Sequence, residues 1–378
     1  SALNNALEEM ATRRSMGEGS IDEFRDLINV ASTVGRPMDI GMRVFHNIQH
    51  NMDMTAQNSI RYSTGISILD KFLDEAGLAR KEVLMLTANS GGKKSMAMAN
   101  LGVNMAKLHG MKIVYYSLEL PEHLVFRRMV SMLTGVPQHQ LKGVEGRAKG
   151  VALLEALGLN EDQIVIKRFV ANVNSCRDIE NHLSQLKVQL NFKPDIIILD
   201  YLDIVNTSSP LPKGEGVFKK DQIVAEEFRN LIFEQDAIGI TASQQGRSAF
   251  EAETLGQQHI QGGISKINTF DWVVGIKNSP VLEAANEIEL HGLKARSSAM
   301  TGETMKVGWD RTWLKFTNIA NNSSAFKSST QKRLEALPSL PTSQPSTRPS
   351  FVSKSATDLA SLDRKSTRLN SSHDQRSR

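Results

Sequence analysis

The sequence predicts an α/β fold: a mainly parallel, twisted sheet flanked by helices, preceded by a helical linker segment and followed by a disordered basic tail. Three observations carry this. Between Arg61 and Phe316, short runs rich in Val and Ile alternate with amphipathic stretches, the pattern of a parallel sheet covered on both faces. The turn Asn89–Ser95 sits between one such run and a helical pattern, which is the strand–turn–helix context of a phosphate-binding loop. Hydrophobic residues make up 40% of the 378 residues and charged residues 23%, enough for a core and against wholesale disorder.

Residues 1–60 read as a helical linker or the remnant of an N-terminal domain. Ile21, Phe24, Leu27 and Ile28 follow helical spacing, and Ser20 with Glu23 can form a capping box. Met42, Val44 and Phe45 are a further apolar cluster. The stretch is too short for a sturdy domain of its own.

Residues 61–325 form the main domain. Its apolar runs are Val83–Ala88, Ile113–Leu118, Ile164–Phe169, Ile196–Leu199, Ile238–Ala242 and Trp272–Ile276. Helical patterns such as Lys94–His109 and Cys176–Leu190 separate most of them. Glu287–Lys294, Thr304–Trp309 and Trp313–Phe316 suggest an antiparallel extension. Residues 326–378 are rich in Ser, Thr, Pro and Lys and poor in apolar residues, so disorder is expected. The final RKSTRLNSSHDQRSR resembles translated adapter sequence more than native coding sequence and carries no functional weight.

The tail also sets the charge. It holds ten Lys/Arg against four Asp/Glu, whereas the preceding residues hold 35 against 37. The overall basicity therefore gives no reason to assign nucleic-acid binding to the globular part. The single cysteine, Cys176, cannot close an intramolecular disulfide and excludes Cys-rich zinc modules, which points to a reducing compartment. No apolar run approaches the ~20 residues that span a bilayer, and the first residues carry no signal-peptide segment. A soluble, cytoplasmic protein with no membrane partner is expected.

The phosphate-binding loop is Asn89-Ser90-Gly91-Gly92-Lys93-Lys94-Ser95. Such a loop needs glycines so that backbone N–H groups can wrap phosphates, a lysine for the β/γ-phosphates, and a hydroxyl for Mg²⁺. Against GxxxxGK[ST], Ala88 replaces the first glycine and Lys93 the last. A shifted register with Lys93 as the phosphate lysine would put Lys94 where the hydroxyl belongs, so Lys94-Ser95 is preferred. A plain Gly-rich βα turn is the bland alternative. Asp200 ends an apolar strand, where a carboxylate can reach the hydration shell of Mg²⁺ beside such a loop. Glu119 ends a second apolar strand, Ile113–Leu118, and suits a general base that orients water, although alone it would read as a solvated strand-end charge.

The order of motifs resembles the DnaB-like replicative helicases, especially those of tailed bacteriophages, within the RecA-like P-loop ATPases. The resemblance covers about Arg61 to Phe316. It rests on Ser63-Thr64-Gly65-Ile66; Ala88–Ser95; Tyr116-Ser117-Leu118-Glu119-Leu120; Arg128 through Thr134-Gly135-Val136-Pro137; Asp200-Tyr201-Leu202-Asp203; Thr241-Ala242-Ser243-Gln244-Gln245-Gly246-Arg247; Gly263-Ile264-Ser265-Lys266-Ile267-Asn268; and Lys294-Ala295-Arg296. It implies a RecA-like core in a hexameric ring that threads one DNA strand and unwinds forked duplex with ATP and Mg²⁺, meeting a primase and a loader, in the host cytoplasm if phage-encoded. By motif match, Asn89–Ser95 would cradle the nucleotide, Lys94 would hold its phosphates, and Ser95 and Asp200 would serve the metal. Glu119 would be the base, and Gln244, after the strand Ile238–Ala242, the γ-phosphate sensor. Lys294 and Arg296 would be supplied to the neighbouring subunit's ATP, where a fixed guanidinium stabilises developing phosphate charge.

Two long loops are candidates for DNA contact: Asn206–Asp221, with Lys213, Lys219 and Lys220, and Gly246–Gly263, with Arg247. Both are poor in aromatics, so sugar–phosphate contact is expected over base stacking. The bland alternative is a flexible surface loop. Cys176, at a helix start, need not be a nucleophile. Met96, Met98 and Met105 read as helix packing, and Trp272 and Trp313 as core or interface. Two alternatives remain open: a RecA-like recombination or repair ATPase, and a non-hydrolysing assembly subunit in which Lys93 has spoiled the loop.

Overall fold

Strand β3 (Val83–Ala88) is buried along its whole length, and a nine-stranded sheet is built outward from it. The computed structural model describes residues 2–17, 42–58, 60–74, 76–211, 216–246, 255–257, 260, 263–296 and 301–319. The chain divides into Ser1–Thr330 and Gln331–Arg378, and the second unit lies outside the described residues, as does the expectation of a disordered tail.

The other strands are β4 (Ile113–Ser117), β5 (Ile164–Arg168), β6 (Ile196–Asp200), β7 (Ile238–Gln244), β8 (Trp272–Lys277), β9 (Glu287–Ala295), β10 (Thr304–Asp310) and β11 (Lys315–Thr317). Their order is β11-β10-β9-β8-β3-β7-β6-β4-β5. Strands β3 to β8 are mutually parallel, and β9 to β11 extend the sheet antiparallel. A separate antiparallel pair, β1 (Arg61–Tyr62) with β2 (Leu78–Ala79), precedes β3.

Alternate residues of each central strand serve different layers. Leu84, Leu86, Ile113, Tyr115, Ile196 and Ile198 pack with Met98, Leu101 and Met105 of α4 (Lys94–His109) and Met129 of α5 (Glu122–Thr134). Val83, Met85, Val114, Tyr116, Ile197 and Leu199 pack with Ile179 and Leu183 of α7 (Cys176–Leu190) and Val224 and Phe228 of α8 (Val217–Gln235). This period-two division places a continuous apolar run on both faces. Each fully buried aliphatic side chain contributes about 1.5–3 kcal/mol relative to exposure. Helix α4 approaches the sheet at Gly102, where an added Cβ would lie 2.8 Å from Ile198 Cδ1. Helix α7 starts with a reciprocal box between Ser175 and Asp178, and Cys176 beside it is buried.

The remaining helices are α1 (Ala2–Ser15), α2 (Ile48–Asn58), α3 (Ser67–Phe72), α6 (Val144–Ala156), α9 (Gly263–Thr269) and α10 (Pro280–Ala284). The expected capping box at Ser20 and the helical stripe Ile21–Ile28 lie outside the described residues. Met42, Val44 and Phe45 are exposed.

Three local expectations are corrected. Strand β7 runs on through Gln244, because Gln244 pairs in register with Ala88 of β3. Strand β4 stops at Ser117, so Glu119 stands on the bend beyond it. Lys219 and Lys220 belong to the first turn of α8 and not to a loop. Trp313 is 40% exposed, in the turn between β10 and β11, whereas Trp272 is fully buried, its indole N–H donating to Glu82 at 3.0 Å.

Candidate active site

The carboxyl ends of β3, β4, β6 and β7 open onto one cavity of about 310 Å³, the edge at which parallel sheets bind ligands. Ser90, Gly91, Gly92, Lys93, Lys94 and Ser95 form one wall, and Glu119, Leu120, Arg128, Tyr201, Gln244 and Trp309 complete it. Asn89 begins the turn, its carbonyl accepting from Gly92 N–H at 2.9 Å. Gly91 has φ +71°, and a Cβ on Gly92 would lie 2.7 Å from Ala88 Cβ and 2.8 Å from Asn89 O. Both positions thus need glycine.

Lys93 stands where the motif's last glycine would be. It takes the left-handed backbone that position requires, φ +68° and ψ +19°, immediately before α4. Its ammonium pairs with Glu283 of α10 at 3.0 Å and lies 5.8 Å from the ring centre of Trp309. Lys94 is the first residue of α4 and folds back on the loop, its Nζ donating to the carbonyls of Ala88 at 3.0 Å and Asn89 at 3.2 Å. Burial pulls the Lys94 ammonium below its ordinary range, and Asp203, Asp200 and Glu119 partly restore it.

Asp200 is fully buried at the end of β6. Ser95 Oγ donates to its Oδ1 at 3.0 Å and Tyr115 OH to its Oδ2 at 2.7 Å. Burial raises its proton affinity, opposed by the hydrogen bonds from Tyr115 and Ser95. A hydroxyl and a buried carboxylate side by side form a hard-oxygen donor set next to an ammonium, and this chemistry fits a Mg²⁺–nucleotide. Glu119 is carried by a turn that Ser117 pins: Ser117 Oγ accepts from Leu120 N–H at 3.0 Å and donates to Leu120 O at 2.8 Å. Gln244 reaches the same cavity from β7, its backbone N–H donating to Asp203 Oδ2 at 2.7 Å.

Lys294 and Arg296 do not line this cavity. Lys294 lies near the end of β9 and Arg296 just past it, with β8 between that strand and β3. Lys294 Nζ donates to the carbonyls of Ile267, Asn268 and Phe270 at 3.0, 2.9 and 2.7 Å, capping the end of α9. Burial and then Arg296 depress its pKa. Arg296 pairs with Asp271 at 2.9 Å while remaining 52% exposed. Asp271 also holds Arg229 at 2.6 Å. Among the residues expected at DNA, Lys219 Nζ is 3.5 Å from Gln222 Oε1 and Lys220 Nζ 3.3 Å from Asn172 Oδ1; Lys213 and Arg247 lie outside the described residues.

Tyr115, Arg128, Tyr201 and Trp309 meet at this site as well, with no role that local sequence signals assign to them. Arg128 and Tyr201 fall within motifs that carry the family resemblance. Tyr115 and Trp309 carried no local signal, since each reads as an ordinary apolar strand residue.

Residues 62–253, about half the chain, match the family model described as the DnaB-like helicase C terminal domain. The DnaB-like replicative helicase of Enterobacteria phage T4 is 25% identical over 219 residues, covering 57% of this chain and 45% of that protein. A probable plasmid replicative DNA helicase of Chlamydia psittaci is 21% identical over 207 residues, covering 54% and 44%. The chain therefore spans under half the length of these curated relatives. Among solved structures, one described as an ATPase domain superposes with a TM-score of 0.60 at 15% identity, covering 72% of this chain and 96% of that one. A DnaB-like replicative helicase, described with its interactions with primase, gives 0.61 at 14% identity, covering 82% of each. The fold is the RecA-like ATPase fold of these proteins, and the chain belongs to the DnaB-like helicase C-terminal domain family.

Proposed function

We propose that the chain is the ATPase motor of a replicative DNA helicase, which hydrolyses ATP with Mg²⁺ to translocate along single-stranded DNA and unwind duplex at the fork. The observation that carries this is the meeting of Lys94, Ser95, Asp200, Glu119 and Gln244 at one sheet edge, while Arg296 stands exposed elsewhere. A site complete in its binding and base groups, with an arginine presented away from it, suits a ring in which each subunit completes its neighbour's site.

In this reading the N–H groups of Ser90 to Lys94 wrap the phosphates. Lys94 leaves its two carbonyl acceptors to neutralise the β/γ-phosphates, and Ser95 and Asp200 are the residues that would hold Mg²⁺. A metal held there would supply neutralisation of the charge that develops on the phosphates. Glu119 takes the proton of the attacking water. Gln244 contacts the γ-phosphate and reports its loss. Arg296 is delivered to the adjacent subunit's ATP, and Lys294 holds the adjoining helix end in place. Lys219, Lys220 and Arg247 contact the DNA backbone. A hexamer, forked DNA, a primase and a loader are the assembly this reading requires.

Lys93 favours hydrolysis being retained. Its backbone has the shape a glycine would take, and its ammonium is tied to Glu283. This disfavours the non-hydrolysing subunit. The test is steady-state ATP turnover by the full chain with Mg²⁺, with and without single-stranded DNA, and Glu119→Gln as control. DNA-stimulated turnover lost in the control supports the motor; folded, oligomeric protein without turnover refutes it. Strand displacement on a fork separates the helicase from a strand-pairing recombinase.

A further inference from the structure

The phosphate loop carries two consecutive ammonium groups, Lys93 and Lys94, and the fold holds them differently. Lys94 Nζ rests on neutral acceptors, the carbonyls of Ala88 and Asn89. Lys93 Nζ rests on an anion, 3.0 Å from Glu283 Oε1. The Lys93 side chain is 14% exposed, with its ammonium over the Trp309 ring, and both residues line the nucleotide cavity. Glu283 stands on α10, 40% exposed, and does not line that cavity.

Glu283 can release Lys93 without being stranded. Its Oε1 also accepts from Asn278 Nδ2 at 2.6 Å, and Arg311 Nη2 lies 3.9 Å from its Oε2. Asn278 and Lys93 hold the carboxyl below its usual range, so it is charged near neutral pH. An ion pair with one partner this open to water is weak, because solvent screens it. The cavity, in contrast, is short of positive charge. Asp203, Asp200 and Glu119 all act on Lys94. A polyphosphate adds further negative charge, of which a divalent metal offsets only part. Lys93 is the ammonium the loop has to spare, since phosphate oxygens accept charge-assisted hydrogen bonds as a carboxylate does.

We propose that Lys93 is a second phosphate-binding ammonium of this cavity and that Glu283 competes with nucleotide for it. The phosphates and the Glu283 carboxylate exchange for one ammonium, so Lys93 raises nucleotide affinity and Glu283 lowers it. Glu283 recaptures Lys93 as the phosphates leave, which favours release. This rests on the reading that the cavity takes a nucleoside polyphosphate with Mg²⁺.

The test is equilibrium binding of a fluorescent ADP to the full chain with Mg²⁺. Wild type is compared with Glu283→Gln, Lys93→Met and the double variant, with melting temperatures measured alongside. Lys93→Met keeps an unbranched side chain beside Trp309 and removes the charge. Glu283→Gln is expected to tighten binding and Lys93→Met to weaken it, each about three- to fivefold, the scale of an exposed ion pair. The double variant is expected to match Lys93→Met, because Glu283 acts through Lys93; such non-additivity marks a shared contact. A pair that merely straps α10 to the loop would weaken binding in both single variants and lower their melting temperatures, and that result overturns the proposal. So does unchanged affinity in either single variant, or a gain from Glu283→Gln that persists without Lys93. Should Lys93→Met fail to melt cooperatively, the sign of the Glu283→Gln change decides. Wild-type protein that melts cooperatively but binds no fluorescent ADP refutes the nucleotide reading itself, and the competition with it.

Discussion

The Lys93 ammonium lies 3.0 Å from Glu283 Oε1, a partner 190 residues further along the chain. This pair turns the side chain toward α10 in a loop where a glycine is expected. The left-handed backbone at Lys93 costs about 1–2 kcal/mol, and the pair with Glu283 offsets part of it. Lys93→Gly is therefore expected to keep ATP turnover within about threefold of wild type, less than 1 kcal/mol in barrier. A rise of several orders of magnitude would show instead that Lys93 obstructs the loop.

Glu119→Gln keeps the shape of the turn that Ser117 pins and removes the base. Nucleotide affinity is expected to hold while turnover falls by about 10²–10⁴. Binding of a fluorescent nucleotide beside a turnover assay checks both. Equal losses in both would assign Glu119 to binding.

Asp200→Asn keeps one acceptor oxygen, so only one of Ser95 and Tyr115 can still donate to it, and it loses the negative charge next to them. The expected outcome is normal folding with a weakened Mg²⁺ dependence: the Mg²⁺ concentration giving half-maximal turnover rises at least tenfold. Titration of Mg²⁺ at saturating ATP measures it, and an unchanged midpoint would remove Asp200 from the metal site.

Arg296 is paired to Asp271 and half exposed, outside the cavity of its own subunit. If it serves a neighbour, Arg296→Ala lowers turnover by about 10³ or more. Mixing it with Glu119→Gln protein then regains part of the activity, because some interfaces join an intact Glu119 to an intact Arg296. Mixtures no more active than either variant alone would exclude action across subunits.

His291 is buried on β9 and His182 stands against Tyr116, and burial depresses the pKa of both below 6.5. The unfolded chain then binds protons more tightly than the folded one. Their stabilising contribution is complete above pH 6.5 and is lost as pH falls from there through the folded pKa values. The melting temperature of wild type is expected to fall more steeply between pH 7 and pH 5 than that of a His291→Gln, His182→Gln variant. Parallel curves would contradict this.

The six Val- and Ile-rich runs are strands; five of them are buried along nearly their whole length, as parallel strands covered on both faces are, while β5 at the sheet edge is half-buried. Their ends were less legible. Gln244 continues β7 because β3 lies beside it in register, and a polar residue at a strand end gives no local sign of that pairing. Lys219 and Lys220 were read into a loop since the turn of α8 that carries them has no acidic or capping residue to announce it. The neighbourhood of Ser95 and Asp200 was legible because each belongs to a motif with its own strand or helix. Tyr115, which holds the other carboxylate oxygen, was not.

By itself, the sequence determined the order of strands and helices, the phosphate-binding loop and the acids that follow strands, since hydrophobic period and turn chemistry act over a few neighbouring residues. Only the tertiary structure decided that Lys93 turns to Glu283, that Tyr115 and Ser95 share Asp200, and that Lys266 draws together Asp203, Asp221 and Ser243. Those contacts join residues from 23 to 190 positions apart, and their meeting depends on the strand order of the sheet, which no local stretch of chain encodes.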